Sequence, residues 1–479
     1  MIEGLALTYI VLAIPVALVC SSVLFAWGSA QHARLRLWLR LLGAALAVAG
    51  LVVMAVIAWA THEDKHYDDF GSALQILAAI YGGALFLAGL GPSTPWVLGV
   101  LRRHTVRLSP AIRLAARDVA RNSARTAPPI AITVVMTAFA VTWMIVAVAE
   151  TAQSRAGYFP QARAGALVVD VQTGDANDAA VARAVVQQEL PGVPIAQRDE
   201  TTHLGHFGLE VEDVDLPDVE SVAPAGFIGD QALLRYLTGD PATPYDESTA
   251  VVVTPNDLKV DTVTLFYAMP TDDDAEKELP SKSIPAIAVK SADPYVNEVF
   301  IPTKVIRDLG LRPEPIKLIV DPSAHRTTEA EQERINQRLG EEMSTYVERG
   351  FQEPAAEWMG VVAAAIAVAL ASALIAGGQA GAGGRTRRVL LRVGAGSPLA
   401  LRMFAAGRAG WSMLCGTALG AAAGCVIGLL LAWPMTASID WDVLPRVSFE
   451  TPWWAIAALA TGLPVLAGVI AALPRPRRP

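Results

Sequence analysis

"GWSMLCGTALGAAAGCVIGLLLAW", Gly410 to Trp433, runs for 24 residues without a charge. That is the length a helix needs to cross the roughly 30 Å hydrocarbon core of a bilayer. Its glycines Gly416, Gly420, Gly424 and Gly428 stand four apart and so share one helix face. Glycine at this spacing lets a neighbouring helix approach closely, which is how membrane helices pack where lipid is as apolar as the side chains. Trp433 ends the run, in the place where an indole keeps one edge wet.

Six further runs of this kind flank it: Leu5–Trp27, Leu41–Ala60, Ala73–Leu98, Pro129–Val148, Ala355–Ile375 and Trp453–Leu473. Trp27, Trp59, Trp96, Trp358, Trp453 and Trp454 also stand at run ends. Across all 479 residues 53% are hydrophobic, 18% are charged and the mean hydropathy is +0.39, more apolar than a soluble chain of this size requires. Pro464 is expected to kink the last helix. The first run resembles a leader ending at Cys20, but Glu3 replaces the basic start and Val19 fills a position that wants a small residue. It is therefore read as a membrane helix.

Charge sets the orientation. Outside residues 151–354 there are 21 basic residues, and 19 of them, all arginine, fall in segments 34–40, 102–125, 385–408 and 475–478. A seven-helix weave puts those segments on one side, with Lys65 and Arg446 on the other. The positive-inside rule makes the arginine side cytoplasmic, with the N-terminus outside, the C-terminus inside and residues 151–354 exported across the cell membrane. The exported stretch holds 35 acids and 17 bases, so the net charge of −8 conceals two faces of opposite sign.

Within 151–354, "GALVVDVQ", "TAVVVTP", "TVTLFYAM", "IPAIAVK" and "IKLIVD" read as strands, and "DANDAAVARAVVQQEL" and "TTEAEQERINQRLGEEM" as helices. The helix caps are Asp175 or Asp178 and Thr327 or Thr328. The expected fold is an α-helical polytopic membrane protein of about seven transmembrane helices, with an exported mixed α/β domain between the fourth and fifth. Its parts are 1–108, a three-helix segment; 109–150, an amphipathic coupling helix and the fourth span; 151–354, the exported domain; and 355–479, three spans with a cytoplasmic coupling loop at 377–408. Cys20, Cys415 and Cys425 all fall in apolar runs, so the exported domain has no thiol for a disulfide or metal. Its acidic runs "EVEDVDLPDVE" and "TDDDAEKE" read as solvated loops.

Two chemical motifs need weighing. "HEDKH", His62–His66, matches the H-E-x-x-H pattern of zinc proteases. It lies in a short outer loop with no third ligand in sight, so a polar turn is preferred over a membrane zinc protease and no metal or cofactor is expected. No phosphate-binding G-x-x-x-x-G-K-[ST] occurs; "GGQAGAGG", Gly377–Gly384, lacks the lysine, follows a membrane run and reads as a hinge. If ATP is used, another chain binds it.

"SPAIRLAARDVARNSART", Ser109–Thr126, is amphipathic. Ile112, Ala115, Ala116 and Val119 fall on one face, and Arg113, Arg117, Arg121 and Arg125 trail round the other. It is expected to lie along the inner membrane surface, where anionic lipid attracts arginine.

The order of elements from 109 to 473 resembles the FtsX-like permease family, the MacB-type membrane subunits of ABC transporters. The segment "RLAARDVARNSART" is similar to the one that precedes the family's first span. After the exported domain Arg387, Arg388, Leu390, Leu391, Arg392, Gly394 and Ala395 make a version of the family's loop motif, lacking its acid and one position. "RLWLRLLGA", Arg36–Ala44, loosely echoes the same loop, so residues 1–108 are either the remnant of a first repeat or an accessory.

The resemblance implies a permease without ATPase activity, docked to a cytoplasmic ATPase through Arg113, Arg117, Arg121, Arg125, Arg385, Arg387, Arg388 and Arg392. A second permease chain and membrane lipid are the other implied partners, and nucleic acid is not one. The substrate moved or released at the outer face would be a lipid, lipoprotein, peptide or drug. A permease that only signals, regulating a cell-wall hydrolase or sensor kinase, remains the alternative.

Overall fold

The structure, a computed structural model, describes residues 20–24, 26, 36–61, 69–94, 96, 110–121, 123–158, 160–171, 176–201, 206–211, 226–268, 280–291, 298–340, 343–353, 357–378, 398–437 and 446–473. It divides into a helical unit, Met1–Tyr158 with Glu353–Pro479, and a sheet unit, Phe159–Gln352. The sheet unit starts later than position 151 because the preceding helix runs on to Ala156.

The chain opens with α1 (Arg36–Ala60), α2 (Asp69–Leu90), α3 (Pro110–Arg121) and α4 (Ser123–Ala156). The sheet unit follows as β1 (Leu167–Val171), α5 (Ala176–Glu189), β2 (Ile195–Glu200), β3 (His206–Val211), β4 (Gly226–Gly229), α6 (Gln231–Thr238), β5 (Ala250–Thr254) and β6 (Thr262–Ala268). It ends with β7 (Ser281–Lys290), β8 (Glu298–Pro302), α7 (Thr303–Asp308), β9 (Glu314–Val320), α8 (Glu329–Leu339) and β10 (Met343–Val347). The helical unit resumes with α9 (Glu357–Gly378), α10 (Pro398–Met435) and α11 (Trp453–Ala472).

Six helices among the described residues, α1, α2, α4, α9, α10 and α11, are long and apolar enough to cross a membrane. Of the first apolar run only 20–24 and 26 are described, and they are helical. Large apolar side chains such as Val52 and Val56 on α1 and Val465 and Val469 on α11 point outward. A hydrocarbon surrounding, not water, would receive them at no cost. The inner faces of α4, α9, α10 and α11 share a core that includes Val141, Ile145, Ala369, Met413, Ile456 and Leu459.

α9 extends through Gly378 and α10 begins at Pro398, so both ends of the loop expected at 377–408 are helical, and 379–397 lie outside the described residues. Proline suits a first helical position, where its missing N–H costs nothing, so Arg402 and Arg408 are helical. In the sheet unit α8 ends at Leu339, not Met343. Gly340 leaves helical geometry at φ 79°, and Met343 begins a strand. The cap of α8 is Thr328, whose hydroxyl accepts from Glu331 N while the Glu331 carboxylate accepts from Thr328 N. α11 is a continuous helix through Pro464.

The ten strands form one mixed sheet in the order β10-β1-β9-β2-β4-β8-β5-β7-β6-β3. One face carries Val168, Ala196, Val251, Phe300 and Ile319 and is covered by Leu233, Leu234 and Leu237 of α6. On the other, α5 and α8 cover Leu167, Val169, Leu318 and Val320. β7 has two partners: Ser281–Pro285 pair with β6, and Ala286–Lys290 with β5. Pro285, opposite Thr262, marks the hand-over, and the next amide, Ala286 N, donates to Asp261 O.

Candidate functional site: the amphipathic helix and its anchor

α3 has the two-sided composition expected of it, but protein covers its apolar face. Ala115, Ala116 and Val119 are buried, and Ala116 and Val119 pack with Ile130 and Val134 of α4 and Trp411 and Cys415 of α10. The helix therefore rests on the bundle. It turns into α4 within two residues, and Thr126 Oγ donates to Val119 O at 3.0 Å, satisfying a carbonyl that the end of α3 leaves open.

One ion pair fastens it. Arg408 Nη1 donates to Asp118 Oδ2 at 2.5 Å, with the two side chains 6% and 12% exposed. Asp118 is the sole acid in Ser109–Thr126, and its isolation among arginines was the available signal for a specific partner. The arginines themselves divide: Arg117, Arg121 and Arg125 are exposed, and Arg113 is half-buried. α3 thus presents cations outward while its acid is turned into the bundle. Arg385, Arg387, Arg388 and Arg392 lie outside the described residues.

The glycine row of α10 meets α4. A Cβ added at Gly416 would stand 2.7 Å from Thr133 Cβ, at Gly420 2.6 Å from Val134 O, at Gly424 2.6 Å from Ala138 O, and at Gly428 3.0 Å from Ile145 Cβ. Only the missing side chains allow the two backbones this approach. Interhelical hydrogen bonds lock the same neighbourhood: Thr142 Oγ donates to Gly424 O at 3.2 Å, and Thr133 and Ser372 share a hydrogen bond of 2.9 Å between α4 and α9. Thr417 Oγ donates to Ala460 O at 3.2 Å, tying α10 to α11. α3, α10 and α4 are consequently one connected body.

A second glycine contact joins α1 to α2. Gly43 and Gly50 on α1, seven residues apart, face Gly89 and Gly82 on α2, also seven apart. A Cβ at Gly43 would meet Gly89 O at 2.8 Å, and one at Gly82 would meet Gly50 O at 2.9 Å. The pairing runs antiparallel, and the equal spacing on both helices was readable in the sequence. At the far end of α10, Arg446 donates to Thr61 O beside the Trp433 ring.

His62–His66 lie outside the described residues, and among those described no group of His, Cys, Asp and Glu is placed to hold a metal ion. Cys415 is buried and Cys425 partly so, both within α10, and Cys20 is exposed; all three are free thiols. No family model matches the chain, and no curated protein matches it in sequence.

Proposed function

We propose that the chain is the membrane-spanning permease subunit of an ATP-driven transporter of the FtsX-like, MacB-type kind, working with a cytoplasmic ATPase subunit and a second permease chain. The observation that carries this reading is the buried Asp118–Arg408 pair, which fastens an arginine-faced amphipathic helix to a membrane-length one. Exposed Arg117 and Arg121 meet the ATPase. The buried face of α3 and its ion pair pass the movement to α10. The glycine row passes it to α4, which leads in sequence into the sheet unit.

The chain hydrolyses no ATP itself. Its arginine-rich segments are cytoplasmic, its N-terminus and sheet unit are outside, and the substrate moved or released there is a lipid, lipoprotein, peptide or drug. What supports this orientation is the arginine asymmetry.

The test replaces Arg387, Arg388 and Arg392 together by alanine, and separately Arg117 with Arg121. Membrane abundance, ATPase co-purification and ATP turnover are then measured. Abundance should hold, because Arg385, Arg402 and Arg408 still mark the inner side, while co-purification falls as charge complementarity is lost. Unchanged binding and turnover in both variants would leave the arginines as lipid anchors and sink the reading.

A further inference from the structure

The register of the sheet sets a row of charges on one face. Asp170 on β1 stands opposite Lys317 on β9, and Lys317 stands opposite Arg198 on β2. Glu298 on β8 shares this face with Phe300, whose partner across the parallel ladder is Phe227 on β4. α6 covers the apolar part of the face and leaves a cavity of about 70 Å³ lined in part by Arg163, Arg198, Phe227, Tyr236, Glu298 and Lys317.

Two cations opposite each other on a largely covered face repel unless each is paired. Lys317 has Asp170, 3.8 Å away. Arg198 has no such partner among the described residues. Its guanidinium lies 3.9 Å from the centre of the Phe227 ring, and its buried Nε finds no acceptor. Glu298 lines the same cavity with opposite charge, yet its Oε2 is also buried without a donor. Burial lifts the Glu298 carboxyl to about 7 against the pull of Arg198, and burial lowers the Arg198 guanidinium from its usual value. Buried polar groups are nearly always satisfied. Both side chains line one cavity, and Arg198 enters it without an ion-pair partner within 4 Å among the described residues.

The kind of molecule follows from the lining. Arg163, Arg198 and Lys317 outnumber Glu298. Phe227 covers one face of the guanidinium and leaves its edge, the side that binds carboxylate or phosphate through two parallel hydrogen bonds. One water needs about 15 Å³ measured this way, so the cavity has room for such a group but not for a large body.

We propose that this cavity binds the oxyanion group of a small ligand, a carboxylate or phosphate, through the edge of Arg198 with Lys317 beside it, while protonated Glu298 donates to the same group. The inference stands apart from the permease reading. Binding favours the protonated form of Glu298, since a second anion would repel its carboxylate, so affinity falls as pH rises through neutrality. The charge that bears on this titration is Arg198; the other ionisable groups lining the cavity are Arg163, Lys317 and Tyr236.

The test is calorimetric titration of the full chain in detergent with acetate, inorganic phosphate and short-chain phosphatidic acid. At least one probe should bind at one equivalent and weaken about tenfold in Arg198→Lys, which keeps the charge but loses the fork. In Glu298→Gln, which removes the ionising group and keeps the test available should Arg198 variants fail to fold, acetate affinity should no longer fall across neutrality; for phosphate and phosphatidic acid, whose own second ionisation lies at about 6–7, the wild type should show a fall beyond that of the variant. Binding of acetate or phosphate points to a soluble ligand, and binding of phosphatidic acid alone to a lipid headgroup. No saturable binding up to millimolar concentration, binding indifferent to Arg198→Lys, or a pH dependence identical in wild type and Glu298→Gln would overturn the proposal.

Discussion

Arg408 and Asp118 are 290 positions apart in the chain and 2.5 Å apart in space, joined where α3 lies on α10. Removing either partner alone leaves the other charge stranded in the bundle, which costs about 3–5 kcal/mol. Asp118→Ala and Arg408→Ala should therefore each lower the unfolding temperature in detergent sharply. The exchange Asp118→Arg with Arg408→Asp should recover part of the loss. An exchange no better than the single variants would mean that the pair does not hold α3 in place.

Gly420→Ala and Gly424→Ala should each destabilise the bundle, by about 1–3 kcal/mol, because the new methyl has backbone rather than a movable side chain before it. Gly462→Ala on α11, where a Cβ meets nothing within 4 Å, is the control. It should be neutral or slightly stabilising, since alanine favours helix over glycine by about 0.5–1 kcal/mol. The check is unfolding of all three in one detergent; equal loss at Gly462 would show that the measured effect is not helix contact.

Glu298→Gln should stabilise the sheet unit at alkaline pH. The folded-state carboxyl titrates at about 7 against an ordinary 4.5, so the folded chain binds this proton more tightly than the unfolded chain. The cost of holding it ionised is then full above pH 7 and vanishes below 4.5. The variant should gain on the order of 2 kcal/mol at the alkaline end and nothing at the acid end. Slowed hydrogen exchange in β8 at high pH, converging with wild type at low pH, is the expected result. A gain that does not change with pH would refute the assignment.

Six membrane-length apolar helices are legible in the sequence because twenty-odd uncharged residues admit few other structures. β1, β5, β6, β7 and β9 are legible because β-branched residues crowd them. β2, "IAQRDE", and β4, "GFIG", are not. One is mostly polar and the other half glycine, and both are held by neighbours far away in the chain. Spacing singles out the glycines of α10 but not the helix they meet. A search for spacing of four passes over Gly43, Gly50, Gly82 and Gly89, which repeat at seven. Asp118 could be noticed as the odd acid in a basic helix, yet only the fold supplies Arg408. Arg198 and Glu298 carry no local motif, because a cavity built from β2, β4, β8 and β9 exists only after the strands are ordered.

Pro285 changes what the ten-stranded sheet is in thermodynamic terms. It has no N–H, and it falls where β7 leaves one neighbour for the other, so the ladder is interrupted at the strand both halves share. β3 and β6 are joined to the rest through the first half of β7, Ser281–Pro285. Opening that edge breaks no hydrogen bond between β5 and the second half of β7. Side chains bridge what the ladder leaves open: Leu209 of β3 and Val263 and Leu265 of β6 share a buried core with Ile228, Val252, Val299 and Ile301 of β4, β5 and β8, so exposing the amides of β3 and β6 costs that shared core even though it breaks no bond between β5 and β7.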